Sequence, residues 1–161
     1  MDSEFIHITL PDGTRKQVPA GCTVREALTP EGGRLDAKVL AAKINGEPMD
    51  LSRPLEQDAT IEPLTFESAE GREVYRHSST HIMAQAVKEV FPTAQLTIGP
   101  ALDDGFYYDF AFDRPFTPED LEKIEARAIE IMKRGLTVTR SELSKQDAIK
   151  FFQERGEGYK V

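Results

Sequence analysis

Residues 39–51 read VLAAKINGEPMDL and contain the clearest structural signal in the chain. The pair Asn45-Gly46 favours a two-residue hairpin turn, because both central positions of such a turn need a positive φ. The stretches on either side, 39–44 and 47–51, have the composition of strands. The sequence therefore predicts an antiparallel hairpin at the centre of the first half of the chain.

More strands flank this hairpin. Residues 4–10 and 15–18 alternate in part between polar and apolar and enclose the turn sequence Pro-Asp-Gly-Thr, which predicts an N-terminal hairpin. Thr23 followed three positions later by Glu26 is a capping-box signature for a short helix. Residues 58–66 supply a last strand. The predicted order β, β, α, β, β, β is typical of a small sheet that packs on one helix.

The pattern changes after residue 66. Residues 67–71, ESAEG, are polar and small, and from residue 72 the apolar spacing becomes helical as far as Pro92. We place a domain boundary at 66/67 on this basis. The predicted domains are residues 1–66 and 67–161.

The second half alternates helices and strands, which predicts an α+β domain. Strands are predicted at 95–98, 106–112 and 136–143. A helix is predicted from Thr117-Pro118 to a cap at Gly135, with Leu121, Ile124, Ala128, Ile131 and Met132 on one face. A last helix, capped by Ser144, is expected to bury Ala148, Phe151 and Phe152.

Composition excludes several classes of protein. Twenty basic and 28 acidic residues give a net charge of -8, which opposes non-specific attraction to RNA, so any RNA contact must be local. The sequence has no long apolar run, which excludes a membrane span. The first residues lack a secretory signal, and the single cysteine, Cys22, excludes an intramolecular disulfide. These features predict a cytoplasmic protein.

His77 and His81 are the clearest candidates for chemistry. Four residues apart on the predicted long helix, they share one face and can together hold a metal, a water or a substrate hydroxyl. The spacing fits ordinary surface or core histidines equally well. A zinc site needs a third ligand, and Cys22 and His7 lie in the other predicted domain. No metal site is predicted.

Two glycine-containing segments also stand out. Residues 99–109 combine Gly99 with an aromatic run that can form a pocket wall, although turn punctuation around a core strand explains the same residues. Strand parity puts Phe106, Tyr108 and Phe110 on one face. Residues 155–160, RGEGYK, lack the pattern of a phosphate-binding loop, and the alternative is a helix end followed by a turn and a new strand.

The motifs, taken in order, resemble one family. Residues 8–13, ITLPDG, and 43–46, KING, are similar to the ubiquitin-like TGS domain at the start of threonyl-tRNA synthetases. TGS domains also occur in translation-associated GTPases and stringent-response enzymes, so this part alone is not diagnostic.

The rest of the chain continues the resemblance. Residues 76–81, RHSSTH, then 97–100, TIGP, then 104–109, DGFYYD, and finally 155–161, RGEGYKV, are similar to the first part of the editing domain of threonyl-tRNA synthetases. The fold class implied is α+β, with a β-grasp TGS domain followed by an α+β editing (second additional) domain that is truncated.

The resemblance also implies an activity. Threonyl-tRNA synthetases ligate threonine to its tRNA with ATP, and their editing domain hydrolyses the ester of serine wrongly attached to that tRNA. By resemblance, His77 and His81 position the terminal ribose, the ester or the water, and Lys160 orients or activates the water. Gly99 and Tyr108 are expected to line the serine pocket.

The resemblance sets limits as well. The editing site of the family includes a downstream Cys-x-x-x-His segment, so we expect the chain alone to lack ligase activity and a complete editing site. No cofactor is expected here, whereas the parent enzyme resembles an ATP-, Mg- and Zn-dependent homodimer whose dimer contacts lie in other domains. The expected partners are the 3′ end of tRNA(Thr) and the remainder of the synthetase, without a membrane.

Two other interpretations remain open. The first is a non-catalytic module that binds tRNA or a regulatory partner through the same two domains. The second is a free-standing editor of the alanyl-tRNA type, which is suggested only by the shared His-x-x-x-His spacing. The TGS-like segment favours the threonyl family over the second alternative.

Overall fold

The computed structural model describes residues 4–160, so residues 1–3 and Val161 of the predicted domains lie outside the described part. The chain divides into two compact units, of which the first ends at Tyr75 and the second begins at Arg76. This division falls inside a helix, and the domain boundary expected at 66/67 stays a prediction. Within residues 4–160, every helix is too short or too polar to cross a lipid bilayer.

The first unit is built on a five-stranded sheet. Its strands are β1 (Phe5–Thr9), β2 (Arg15–Pro19), β3 (Ala41–Ile44), β4 (Glu47–Met49) and β5 (Ala59–Leu64), in the order β2-β1-β5-β3-β4. The central pair β1 and β5 is parallel, and the other neighbours are antiparallel. The mixed sheet with its one short helix has the predicted β-grasp arrangement.

The predicted local signals form as expected in this unit. Asn45 and Gly46 both have positive φ, 52° and 89°, as their hairpin turn requires. Helix α1 (Val24–Leu28) begins at Thr23, whose side chain accepts from the Glu26 backbone N–H while the Glu26 carboxylate accepts from the Thr23 N–H. The helix buries Val24, Ala27 and Leu28 against the sheet residues Ile6, Ile8, Ala42, Ile44 and Ile61.

Helix α2 (Ala69–Val90) follows, and it begins earlier than the sequence predicts. Ser68 Oγ accepts from the Gly71 N–H at 3.1 Å, which satisfies one of the free donors of the first turn. A Cβ at Gly71 would lie 1.8 Å from the Thr65 carbonyl oxygen, so this position requires glycine. The polar stretch that marks the predicted boundary is thus in part the first turn of α2.

The second unit combines residues 76–90 of α2 with short strands and two further helices. Strand β6 (Gln95–Leu96) pairs with β9 (Phe110–Ala111), and β7 (Ala101–Leu102) pairs with β8 (Gly105–Phe106). Helices α3 (Pro118–Arg134) and α4 (Lys145–Glu154) follow, and a 3₁₀ turn at Gly158–Lys160, here called the Lys160 turn, comes after them. The core contains Ala86, Val87, Ala94, Ile124 and Ile131 and is lined by Phe91, Phe110, Phe112 and Phe116.

Several predictions for this unit are wrong. Residues 136–143 do not form a strand, because no described strand offers them backbone partners. They are irregular, and their side chains are exposed. The predicted strand 106–112 is broken at 107–109, and the backbone of Asp109 bonds to that of Thr97 and Ile98 outside a regular ladder. Helix α4 buries none of its residues, and Leu121 and Met132 of α3 are more than half exposed.

Candidate functional site

The two histidines meet on the face of α2. Their Nε2 atoms are 3.0 Å apart, and their rings make an edge-on contact with centroids 4.7 Å apart. At this distance one ring donates its Nε2–H and the other accepts, so at least one ring is neutral. Both side chains are open to solvent and accessible to a ligand.

Neighbouring residues fix this part of α2. Thr80, between the two histidines, is almost fully buried, and its hydroxyl donates to the His77 carbonyl at 2.7 Å. The Arg76 guanidinium donates to the carbonyl oxygens of Leu102 and Asp103, which ties the loop after β7 to the helix. The histidine pair therefore stands on a helix segment that is held on both sides.

Lys160 lies near the histidines. Its ammonium donates to the Thr97 carbonyl at 2.8 Å, and its backbone N–H donates to the Glu157 carbonyl at 2.9 Å. The pKa of His81 is lowered, first by partial burial of the ring and then by the nearby charges of His77 and Lys160. His81 is consequently a neutral imidazole at physiological pH and can accept a proton.

Gly99 and Tyr108 pack against each other. A Cβ at position 99 would lie 2.1 Å from Cδ2 of the Tyr108 ring, so the ring occupies the space that any other side chain would need. The Tyr108 ring also stacks on Phe110, with centroids 4.7 Å apart. Burial, and then the charge of Glu157, raise the pKa of Tyr108, so its phenol stays protonated and can donate a hydrogen bond.

The two faces that strand parity separates differ in exposure even though the strand is broken. Phe106, Tyr108 and Phe110 are half-buried, whereas Tyr107 and Asp109 are exposed. Asp109 holds the aromatic segment to residues 97–98. Its N–H donates to the Ile98 carbonyl at 2.8 Å, and its carbonyl accepts from the Thr97 hydroxyl at 2.6 Å.

The structure brings His77 into contact with His81 and packs Gly99 against Tyr108. The charge of Lys160 acts on His81. Thr97, which accepts from Lys160, is two residues from Gly99. The placement of these residues is a finding, and their roles stay predictions.

Sequence reasoning missed Lys88 and Glu157. Glu157 Oε1 lies 3.0 Å from Lys88 Nζ, and the same ammonium donates to the Ala94 carbonyl at 3.0 Å. Lys88 and Glu157 are too far apart in sequence for any local spacing rule to pair them. The only sequence signal was that Glu157 lies within the RGEGYK segment. Among residues 4–160, no group of three or more His, Cys, Asp or Glu side chains could hold a metal ion.

Comparison with known proteins supports the resemblance to threonyl-tRNA synthetases. Residues 6–65 match the TGS domain family. The whole chain is similar to the threonine–tRNA ligase of Symbiobacterium thermophilum, with 54% identity over 99% of this chain and 24% of the ligase. The ligases of Citrifermentans bemidjiense (49% identity, 97% of this chain, 24% of the ligase) and Myxococcus xanthus (46%, 99% and 25%) are also similar.

The chain therefore spans about a quarter of the length of the curated relatives that it matches. The predicted resemblance to threonyl-tRNA synthetases and the predicted TGS domain are confirmed. The chain thus carries a TGS domain within a sequence that corresponds to about one quarter of a threonine–tRNA ligase.

Proposed function

We propose that this chain works as part of a cytoplasmic threonine–tRNA ligase, with residues 1–66 as the TGS domain and 67–161 as the first part of the editing domain. Its contribution is hydrolysis of serine esterified by mistake to tRNA(Thr). The observation that carries this proposal is the contact between His77 and His81, with the Lys160 ammonium near enough to lower the pKa of His81.

Such a site meets a need that a synthetic site cannot meet alone. Serine lacks one methyl group of threonine, and one missing methyl in a binding pocket changes the binding free energy by only about 1–3 kcal/mol. A second site that hydrolyses the wrong ester supplies the remaining discrimination. The pocket wall proposed here, Gly99 against Tyr108, leaves no room for a side chain at position 99.

The proposed reaction is an ester hydrolysis. A water oxygen attacks the carbonyl carbon of the aminoacyl ester, the bond from that carbon to the ribose oxygen breaks, and the ribose oxygen leaves with a proton. His81, as a neutral imidazole, can accept a proton or hold the ribose hydroxyl, and His77 orients it through the shared hydrogen bond. Lys160 contributes a positive charge close to the pair.

The charge of the chain is consistent with a short contact. With a net charge of -8, the chain does not attract the length of a tRNA, so we propose that it binds only the aminoacylated 3′ end. Most of the tRNA then contacts the remainder of the ligase, which is the second proposed partner. The described side chains contain no group of three or more His, Cys, Asp or Glu that could hold a metal ion, and no step proposed here depends on ATP, Mg or Zn.

A chimera tests the proposal. This chain replaces the matching quarter of the Symbiobacterium thermophilum ligase, and hydrolysis of seryl-tRNA(Thr) is measured with and without His77→Ala and His81→Ala. We expect the chimera to hydrolyse the ester and each substitution to lower the rate by about 10²-fold or more. Aminoacylation with threonine is the control and stays within about twofold.

Two outcomes would contradict the proposal. If the chimera aminoacylates normally but leaves seryl-tRNA(Thr) intact, this chain does not support editing. If it hydrolyses the ester equally well without both imidazoles, the histidine pair is not the site. Tight binding of tRNA(Thr) by the isolated chain without any hydrolysis in the chimera would favour the non-catalytic module.

A further inference from the structure

The Lys88–Glu157 ion pair connects three segments of the second unit. Lys88 belongs to the last turn of α2, and its ammonium contacts both Glu157 Oε1 and the Ala94 carbonyl, each at 3.0 Å. Ala94 immediately precedes β6. The ion pair is only partly accessible, with 31% of the Lys88 side chain and 13% of the Glu157 side chain exposed. One shielded ammonium therefore holds the helix end, the start of β6 and the segment around Glu157.

The backbone of Glu157 in turn positions the backbone of Lys160. The Glu157 N–H donates to the Phe152 carbonyl at 3.0 Å, which anchors the residue to α4, and its carbonyl accepts from the Lys160 N–H at 2.9 Å. The Lys160 ammonium then reaches the Thr97 carbonyl. The backbone of the Lys160 turn is thus fixed by a residue whose side chain is held by α2, the same helix that carries the histidines.

The second carboxylate oxygen of Glu157 adds an independent observation. Oε2 is buried and accepts no hydrogen bond from the residues described here. An acceptor that is buried without a donor destabilises the fold, and more so when it is charged. The ion pair is therefore a poor choice for stability alone, since well-packed apolar residues in place of both Lys88 and Glu157 would avoid that cost.

We propose that Glu157, through its ion pair with Lys88, is a positioning residue that holds Lys160 beside the histidine pair. This inference deepens the proposed function and rests on it for the role of Lys160 in hydrolysis. The placement itself is independent of that role, because it concerns only where the ammonium stands. Two measurements separate placement from hydrolysis.

The first measurement uses the chain itself. The pKa of His81 is determined by NMR in the wild type, in Glu157→Gln and in Lys160→Met. The charged neighbours that lower this pKa are His77 on its own helix and Lys160 on the Lys160 turn. We expect the pKa to rise in both variants, because each removes the ammonium from its place near the ring.

The sign of this change is diagnostic. Loss of the negative charge of Glu157 would by itself lower the pKa of a nearby histidine, whereas displacement of Lys160 raises it. A His81 pKa that is unchanged or lower in Glu157→Gln overturns the positioning role. The matched control is Glu89→Gln, which breaks the neighbouring ion pair between α2 and Arg134 and should leave the His81 pKa unchanged.

A second variant keeps the test possible if the first does not fold. If Glu157→Gln unfolds, the double variant Lys88→Gln with Glu157→Gln removes both charges and avoids an unpaired buried ion. A raised His81 pKa in the folded double variant supports the proposal, and an unchanged one overturns it.

The second measurement uses the chimera. We expect Glu157→Gln to lower kcat for seryl-tRNA(Thr) hydrolysis by up to about 100-fold with little change in KM, because the misplaced group acts on the reaction and not on binding. If His81 responds as expected while neither Glu157→Gln nor Lys160→Met changes kcat, the placement stands and the proposed role of Lys160 in hydrolysis is wrong. A large rise in KM with kcat unchanged would instead make Glu157 a binding residue and overturn its positioning role.

Discussion

The first unit closes its own core, whereas the second leaves much of its apolar surface exposed. In the first unit, Ile8, Ile61 and Leu64 are almost completely buried. Among residues 4–160, three large hydrophobic side chains are exposed in the first unit and eleven in the second. The exposed set in the second unit includes residues of both α3 and α4. The first unit is organised by apolar packing and the second to a larger degree by polar contacts.

Charged side chains link separate elements within the second unit. In the second unit, Glu89 of α2 accepts two hydrogen bonds from Arg134 of α3, both at 3.0 Å, and Lys88 binds Glu157. Arg114 binds Asp120 and lies over the rings of Phe91 and Phe112. Polar contacts of this kind fix geometry more than they add free energy. We therefore expect the second unit to hold its site residues in a fixed geometry and to have a modest free energy of unfolding.

The largest effect is expected in the first core. Ile61→Ala removes a side chain that is 1% exposed and leaves a cavity, so the free energy of unfolding of the first unit should fall by about 2–5 kcal/mol. Val138→Ala in the second unit is the comparison, because Val138 is 88% exposed, and it should change stability by less than about 0.5 kcal/mol. Urea unfolding followed by NMR resolves the two units. A large cost at Val138 would show that the comparison between the units is wrong.

A middle-sized effect is expected where the site itself is tightly packed. Gly99→Ala places a Cβ against the Tyr108 ring, which must shift from its stacked contact with Phe110, and we expect a loss of about 1–3 kcal/mol. Gly105→Ala is the matched control, because a Cβ there meets no atom within 4 Å. Thermal unfolding and the NMR shifts of the Tyr108 ring provide the measurement. Equal effects at both glycines would argue against a packed pocket wall.

The smallest effect is expected at the Arg114–Asp120 pair, and it depends on pH. Hydrogen bonds from Arg114 and from the Thr117 backbone hold the pKa of Asp120 well below its ordinary value of 3.8. A lowered pKa contributes stability that is complete above that ordinary value and is lost as the pH falls through the folded-state pKa. Asp120→Asn should therefore destabilise the second unit most above about pH 4, and the difference should shrink in acid.

Chemical unfolding at several pH values measures this difference. Glu122→Gln, an exposed acid on the same helix, should stay within about 0.5 kcal/mol of the wild type at each pH. A difference between Asp120→Asn and the wild type that stays constant down to low pH would mean that ionisation of Asp120 does not support the fold.

Local chemistry explains how much of the fold the sequence could predict. Thr23 with Glu26 and the Asn45-Gly46 turn are decided by neighbours a few residues away, and both form as predicted. Residues 136–143 have strand-like composition, but a strand needs a partner, and composition carries no information about the partner. The burial expected for Phe151 and Phe152 fails for the same reason, since an amphipathic pattern predicts a face and not what covers it.

The candidate site shows the same limit. The helical spacing of His77 and His81 predicts their contact directly. The family resemblance supplied Lys160, Gly99 and Tyr108, and the structure adds the contacts that locate them. The Lys88–Glu157 pair joins residues that are distant in sequence, and only the folded arrangement of α2 and the Lys160 turn brings them together.

The short distance between the two imidazoles means that one ring donates a hydrogen bond and the other accepts it. One Nε2 carries the shared hydrogen and the other lacks it, so the tautomer of one ring dictates the tautomer of its neighbour. A hydroxyl that binds to one ring therefore also affects the hydrogen bonding of the other. Occupancy of the site should thus change the nitrogen-15 signals of both rings.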